Sequence, residues 1–382
     1  MATQRQNADE KWMSHAVALA RRGEGRTRPN PPVGAVVVRQ GRLLGQGWHR
    51  QAGLPHAEVE AIRACKESLT GATIYVTLEP CCTHGRTPPC TELLMRSGIA
   101  RVVVGCADPN PSHASRGFRL LRQAGITVTT GVCEDVCRQL IEPFAMRWRC
   151  GRPFVTLKLA MTLDGRIADR CGRSQWLTGP EARQAVQALR RRADAIMVGA
   201  GTVLADDPAL RCRLPGAPDV WRVVIDGAGR TPATAQLLTD RWADTTVMIT
   251  TKQAKAAMQQ RWARQGAQVW VLPAGARGRI APSRILRRLA EEGVLHVLCE
   301  GGGQLAGALI KAGLVDEYQL FYAPAILGDH RGISGVSGAD FRLATLPKLQ
   351  IEAVSRVGVD LLVRARPLAA PVVAEETACL PG

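Results

Sequence analysis

The chain has 382 residues, 46% of them hydrophobic and 22% charged, a globular balance that excludes a disordered chain. At roughly 100–200 residues per domain the length fits two domains. Of its 50 basic residues 43 are arginine, and the net charge is +17. The basic residues are spread along the chain, and the longest run is Arg190-Arg191-Arg192. With 4% aromatic residues there are few platforms for stacking single-stranded bases. The charge therefore points to anionic small molecules, and the expectation is no nucleic-acid partner. Apolar stretches such as residues 100–105 are interrupted by charge or glycine, far short of the ~20 residues of a membrane span. The first residues carry no apolar segment of a secretory signal. The expectation is a cytoplasmic chain without a membrane partner, whose twelve cysteines stay reduced as metal ligands, reactive groups or packing.

Trp12, Met13, Ala16, Val17, Leu19 and Ala20 fall at helical spacing, which predicts a helix over residues 10–22. Pro29-Asn30-Pro31-Pro32 ends it. Residues 33–38 and 42–47 read as strands around a Gln40-Gly41 turn. Residues 58–66 read as a helix, 72–78 as a strand, 91–97 as a helix and 101–105 as a buried strand. Alternation up to about residue 145 describes one α/β domain. The basic stretch 147–152, closed by Pro153, reads as a linker. A second α/β series follows, with strands at 154–159, 195–198, 222–225, 246–249, 268–271 and 296–299, and helices at 180–192 and 282–292. The expected domains are residues 1–149 and 150–366. The remainder, 367–382, is rich in Ala, Pro and Val without periodicity and is expected to be disordered.

Chemistry concentrates in the first half. His56 and Glu58 open a predicted helix, Cys81 and Cys82 follow a strand, and Cys90 opens the next helix after Pro88-Pro89. One imidazole and two thiolates form a three-ligand zinc site with a fourth position for water. The carboxylate two residues after the histidine can shuttle protons without touching the metal. Helix N-termini also favour thiolate over thiol. The pattern is that of zinc nucleobase deaminases, except that the two cysteines usually stand three apart and here nine. Cys82 competes for the ligand role, with packing the simpler reading. His49 and His84 lie close enough to touch substrate or to serve as ordinary surface groups.

The stretches HAEVEA (56–61) and TLEPCCTHGRTPPC (77–90), with Asp108-Pro109-Asn110-Pro111, resemble the deaminase half of the bacterial bifunctional riboflavin biosynthesis enzymes. The nine-residue cysteine separation is that family's pattern, although its members commonly carry Ser where Cys82 stands. The resemblance implies His56, Cys81 and Cys90 as ligands and Glu58 as proton shuttle. It also matches Asn30, His49 and Arg86 to positions that contact the substrate base or phosphate.

The resemblance extends to about residue 366 through LKLAMTLDGRIA (157–168), SQWLTGPEAR (174–183), GAGTVLADDPALRCR (199–213) and EGGGQLAGALIKAGLVDE (300–317). It implies an α/β chain in which a cytidine-deaminase-like zinc domain precedes a dihydrofolate-reductase-like domain using NADPH. The implied cofactor contacts are Ala160, Trp176, Thr202, Asp206, Gly227, Gly302, Gly303, Gln304, Leu305, Ala306, Gly307 and Ala308. The implied substrate contacts are Ser174, Arg190, Leu210, Arg213 and Glu300, with Lys158 nearby. The residues agree in part by themselves. Glycines 301–303 link a buried strand to a helix, where backbone amides can bind phosphate, and Arg190 and Arg213 are suited to clamp a phosphate bidentately. Trp176 could pack on the nicotinamide or in a core.

The reading is an enzyme of two steps. Zinc-dependent hydrolytic deamination of 2,5-diamino-6-(5-phosphoribosylamino)pyrimidin-4-one comes first, and NADPH reduction of the ribosyl group to ribityl follows. A homo-oligomer is expected. Two rivals are a nucleic-acid deaminase with an inactive second domain and a metal-stabilised nucleotide-binding regulator. The second fits poorly, because a structural zinc has no use for Glu58 and usually takes four protein ligands.

Overall fold

The computed structural model describes residues 2–84, 88–113, 115–275 and 278–368. It divides into two compact units, Met1–Gly151 and Arg152–Gly382.

The first unit opens with α1 (Ala2–Ala20), followed by β1 (Gly34–Arg39), β2 (Arg42–Trp48), α2 (Ala57–Arg63), β3 (Thr73–Leu78) and α3 (Cys90–Arg96). It continues with β4 (Arg101–Cys106), α4 (Arg116–Gln123), β5 (Thr127–Thr130), α5 (Glu134–Leu140) and α6 (Glu142–Cys150). The five strands lie in the order β2-β1-β3-β4-β5. β1 runs antiparallel to both neighbours, and β3, β4 and β5 are parallel. Alternation along each strand feeds two cores. Ala35 and Val37 join Ile74, Val102 and Leu121 on one face, whereas Val36 and Val38 join Met13, Leu19 and Cys137 on the other. α1 is fastened to the sheet by Asp9, which accepts the Tyr75 hydroxyl at 2.9 Å and both Arg101 Nη groups at 2.8 and 2.6 Å.

The predicted linker is helical. Pro143 sits in the first turn of α6, where its missing N–H costs nothing, and Gly151 caps the end at φ 62°. The helix thus runs through residues 147–150, and the division falls at Gly151/Arg152. Arg152 begins the second unit, pairing with Asp316 at 2.7 and 2.8 Å while the same carboxylate accepts the Val155 amide at 2.8 Å.

That unit contains β6 (Phe154–Thr162), β7 (Arg166–Ala168), α7 (Pro180–Arg192), β8 (Ala195–Gly199), α8 (Ala200–Asp206), β9 (Trp221–Ile225), α9 (Gln236–Thr239) and β10 (Thr246–Thr250). After these come α10 (Ala256–Arg264), β11 (Gln268–Val271), α11 (Pro282–Glu291), β12 (His296–Cys299), α12 (Gly303–Lys311), β13 (Glu317–Ala323), β14 (Ile333–Ser334), β15 (Leu349–Val357) and β16 (Asp360–Pro367). Nine strands form one sheet in the order β11-β10-β9-β8-β12-β6-β13-β16-β15. It is parallel from β11 to β13, and β16 and β15 close it antiparallel. Parallel strands covered on both faces read as continuous apolar runs. Here Met197, Val223 and Ile249 enter one core, and Ile196, Val224 and Met248 enter the other.

Pro367 is the last residue of β16 and Leu368 bonds back to Lys348, so the expected disordered tail does not begin at 367. Its remainder, 369–382, lies outside the described residues. Among the described residues, no helix is long and apolar enough to cross a membrane.

Candidate active sites

α2 carries the first site because β2 lets it come close. A side chain at Gly45 or Gly47 would strike the backbone of Ala61, so the two glycines admit the helix directly onto the strand. His56 precedes α2 in extended conformation, and Glu58 lies in its first turn, 4% exposed. Cys81 follows β3, and Cys90 is the first residue of α3. The Nδ1 of His56 lies 3.4 Å from Sγ of Cys81 and 3.4 Å from Sγ of Cys90, and the three donor atoms fall within 4.8 Å of one another. A tetrahedron with bonds of about 2.0–2.3 Å has edges of about 3.5 Å, so the donor set matches zinc in both chemistry and size.

Local electrostatics favour a thiolate. The backbone N–H of Cys90 donates to Sγ of Cys81 at 3.3 Å. The Cys90 thiol and then the His56 imidazole hold the Cys81 thiol down to about 4, against the opposing effect of burial. The bond to Cys81 raises the His56 ring to about 9, although burial opposes it. Burial raises Glu58 to about 7, with the Cys81 thiolate adding to the effect. Cys82 lies outside the cluster, and burial pushes its thiol up.

The neighbours divide into framework and surface. The buried His49 ring uses both nitrogens, Nδ1 with the Pro55 carbonyl at 3.1 Å and Nε2 with the Asn30 amide nitrogen at 3.2 Å. This arrangement makes it a support for Asn30 and for the approach to His56. His84 is exposed, 3.8 Å from Glu92. Arg86 lies outside the described residues. Glu79 went unremarked in the sequence. Its buried carboxylate accepts the backbone N–H groups of Asp108, Ser115 and Gly117 at 3.2, 3.1 and 2.9 Å. It thereby ties the cysteine loop to the Asp108–Pro111 loop, and its position just before Pro80-Cys81 is the one signal the sequence offers.

The second unit holds a cavity of about 1190 Å³ at the carboxyl ends of its parallel strands, where open α/β sheets bind ligands. Lys158, Ala160, Ser174, Trp176, Arg190, Thr202, Asp206, Leu210, Arg213, Gly227 and Glu300 line it, as do Gly302, Gly303, Gln304, Leu305 and Ala308. The glycine triplet has divided roles. A side chain at Gly301 would strike Val198 and one at Gly303 would strike Ser334, whereas Gly302, at φ 31°, faces open space beside Thr202. Gly302 caps α12, so backbone amides and the helix dipole meet an open approach on the cavity wall, an arrangement suited to binding an anion.

Two of the expected cofactor contacts, Ala306 and Gly307, do not line the cavity. Ala306 is fully buried in the sheet core, and Gly307 packs on the backbone of Ser337. At 100° per residue Ala306 falls opposite the Gln304–Ala308 face of α12, while Gly307 shares the face of Gly303 and is covered by Ser337. Arg190 pairs with Glu300. Its Nε and Nη2 donate to the two Glu300 oxygens at 2.7 and 2.8 Å, and Nη1 donates to the Arg211 carbonyl at 2.9 Å. With these bonds Arg190 holds Glu300 in place, and Arg213 is exposed on the cavity wall. Arg190 keeps Glu300 below the ordinary carboxylate range despite burial. Burial lowers the Lys158 ammonium, with Glu300 opposing. Ser174 donates to Asp206 at 2.7 Å. Trp176 is 68% exposed at the mouth, under the Arg183 guanidinium at 4.8 Å, and so is not a core residue. Arg183, Arg230, Gln253 and Arg279 also line the cavity. Arg183 closes the block SQWLTGPEAR, but no motif in the sequence marked the other three.

Residues 6–106 match the model of the cytidine and deoxycytidylate deaminase zinc-binding region, and residues 153–363 match the RibD C-terminal domain. The chain is 42% identical over 361 residues to the riboflavin biosynthesis protein RibD of Bacillus amyloliquefaciens, covering 94% of this chain and 96% of that protein. It is 39% identical over 370 residues to RibD of Escherichia coli K12, covering 92% and 98%. The structure of Acinetobacter baumannii RibD superposes with a TM-score of 0.85 at 36% identity, covering 95% of this chain and 100% of that one. A Thermotoga maritima diaminohydroxyphosphoribosylaminopyrimidine deaminase/5-amino-6-(5-phosphoribosylamino)uracil reductase gives 0.84 at 36% identity, covering 95% and 99%. The first unit is accordingly cytidine-deaminase-like and the second dihydrofolate-reductase-like. With both halves matched in one chain at nearly full length, the protein belongs to the RibD family, the bifunctional zinc-dependent deaminases and NADPH-dependent reductases of riboflavin biosynthesis.

Proposed function

We propose that His56, Cys81 and Cys90 hold the zinc, and that the first unit deaminates 2,5-diamino-6-(5-phosphoribosylamino)pyrimidin-4-one with release of ammonia. The observation that carries this is the convergence of three donor atoms within 4.8 Å beside the buried Glu58. When bound, zinc supplies the Lewis acidity that makes a water nucleophilic near neutral pH. Glu58 takes a proton from the attacking water and delivers it to the departing amino nitrogen. Its side chain is held against Cys90, off the ligand set but within reach of the same space. Asn30, steadied by His49, is placed to orient the pyrimidine.

The second unit reduces the ribosyl group of the deaminated product to ribityl. NADPH supplies the hydride. Gly302, Gly303, Gln304, Leu305 and Ala308 cradle the cofactor together with Ala160, Trp176, Thr202, Asp206 and Gly227, while Ser174, Leu210 and Arg213 hold the substrate. Of the two candidate proton donors, Glu300 stays ionised against Arg190, so Lys158 delivers the proton as the sugar ring opens. Its lowered affinity for a proton eases the transfer.

The eleven cysteines among the described residues are all free, which supports a reducing, cytoplasmic setting. The exposed Ile351, Val354 and Val359, 62%, 59% and 69% accessible around the edge strand β15, support a homo-oligomer, because edge strands with apolar surface are ordinarily covered. Assaying the purified protein for ammonia release and NADPH oxidation on the pyrimidine phosphate tests both activities. Binding without turnover of either would overturn the reading.

A further inference from the structure

Arg213 faces two cavities. Besides the reductase cavity, it lines a separate one of about 380 Å³ formed by residues 211–214 and 216–220 with Arg241, Trp242 and Thr245. Arg211 and Arg241 both lay their guanidinium groups on the Trp242 ring, Arg241 at 4.0 Å from its centroid. The acid nearest in sequence, Asp240, is already committed, since its two oxygens bind the buried Arg222 at 2.7 and 2.9 Å. Asp219, itself exposed, is the one carboxylate on the lining against three arginines. Among the described residues none of the three arginines forms a salt bridge. Burial pushes the Arg211 guanidinium below its ordinary value, and the effects of Asp219 and Asp240, which oppose, exceed those of the Arg241 and Arg222 cations. Both guanidinium carbons lie over the Trp242 ring, and guanidinium N–H edges are suited to paired bonds to phosphate oxygen.

We propose that this cavity binds a phosphate monoester dianion, holding the phosphate tail of the reductase substrate at Arg211 and Arg241 before it passes to Arg213. The proposal rests on the reductase reading above. Arg211 takes part in the reductase cavity only through its backbone carbonyl, and Arg241 does not line it. Their side chains can therefore be changed without altering the reaction centre.

The test compares wild type with the full-length Arg211→Gln/Arg241→Gln variant. Both are titrated calorimetrically with ribose 5-phosphate and, separately, with inorganic phosphate, and NADPH oxidation is followed with the already deaminated substrate. The variant should lose one class of ribose 5-phosphate sites, or bind it roughly tenfold more weakly or worse. Its KM should rise several-fold at unchanged kcat, with an unchanged unfolding temperature as evidence of folding. Equal titrations for the two proteins overturn the site. A lost class that takes inorganic phosphate but not ribose 5-phosphate, with KM unmoved, overturns the staging role and assigns the cavity to the free anion. A wild-type protein that oxidises no NADPH refutes the reductase reading instead, while the titrations still decide whether the site exists.

Discussion

Replacing Glu300 by Gln removes a charge and leaves the shape. The Arg190 side chain is 13% exposed and that of Glu300 8%, so the variant leaves a guanidinium in a poorly solvated place without its counter-ion. Removing one partner of such a pair costs about 3–5 kcal/mol. The surviving bond from Arg190 to the Arg211 carbonyl argues for the lower end. For a unit of this size each kcal/mol moves Tm by about 2–4 °C, so the second unit should melt roughly 6–12 °C earlier. The pH dependence has a definite sign. A carboxylate held below its unfolded value stabilises the fold above that value, about 4.3 for glutamate, and loses its contribution as pH falls through the folded value. The gap between wild type and variant should therefore close on acidification. Activity gives a second readout. Glu300 supports the protonated form of Lys158, so its removal lowers the Lys158 pKa further, and the alkaline limb of the NADPH oxidation profile should move to lower pH. Calorimetric unfolding at several pH values, with that profile, checks both. An unchanged Tm near neutrality, or a gap that widens in acid, would refute the pairing argument. The double replacement Arg190→Met/Glu300→Leu should recover most of the stability.

Cys90→Ala should lose zinc on metal analysis and Cys82→Ala should keep it; the reverse would transfer the ligand role to Cys82. Glu58→Gln should retain zinc and lose deamination by about 10²–10⁴-fold, with reduction of the deaminated substrate intact; near-normal ammonia release would remove Glu58 from the mechanism. Lys158→Met should still bind NADPH by Trp fluorescence but slow its oxidation by about 10²–10⁴-fold. A fragment of residues 152–368 should fold and prefer NADPH to NADH in the same titration, since the arginines lining its cavity suit the extra phosphate. One starting at 153 should melt earlier, because it leaves Asp316 without Arg152.

The first site was legible because its chemistry sits at element boundaries. His56, Cys81 and Cys90 each adjoin the end of a helix or strand, and such ends show in a sequence through Pro55, Pro80 and Pro89. The buried parallel strands were legible as apolar runs. What stayed hidden depends on partners distant in the chain. Nothing near Arg190 announces Glu300, and nothing near Glu79 announces the three amides it binds. Ala306 is different, because helical periodicity alone turns it away from the face that Gln304 and Ala308 share, whereas Gly307 is covered by Ser337, which is distant in the chain. Gly151 is a helix-capping signal that the basic run before it obscured. Strands β13, β15 and β16 carry mixed polarity, as edge and near-edge strands do, and lack the apolar runs that marked the others.

The placement of β6 governs how the second unit can be made. This strand carries Lys158 and Ala160 and is the first of its sheet in the chain, yet its neighbours are β12 and β13, paired through Phe154–His296 and Thr156–Glu317. Neither partner exists until most of the unit has left the ribosome. The first unit pairs β1 with β2 across a short turn and can close its sheet early. The strand that will floor the reductase cavity must meanwhile wait with Val155, Leu157 and Leu159 uncovered. Closing long loops before any contact rewards them slows folding and lengthens exposure to aggregation. The reductase half, and β6 within it, is therefore where misfolding during synthesis should begin.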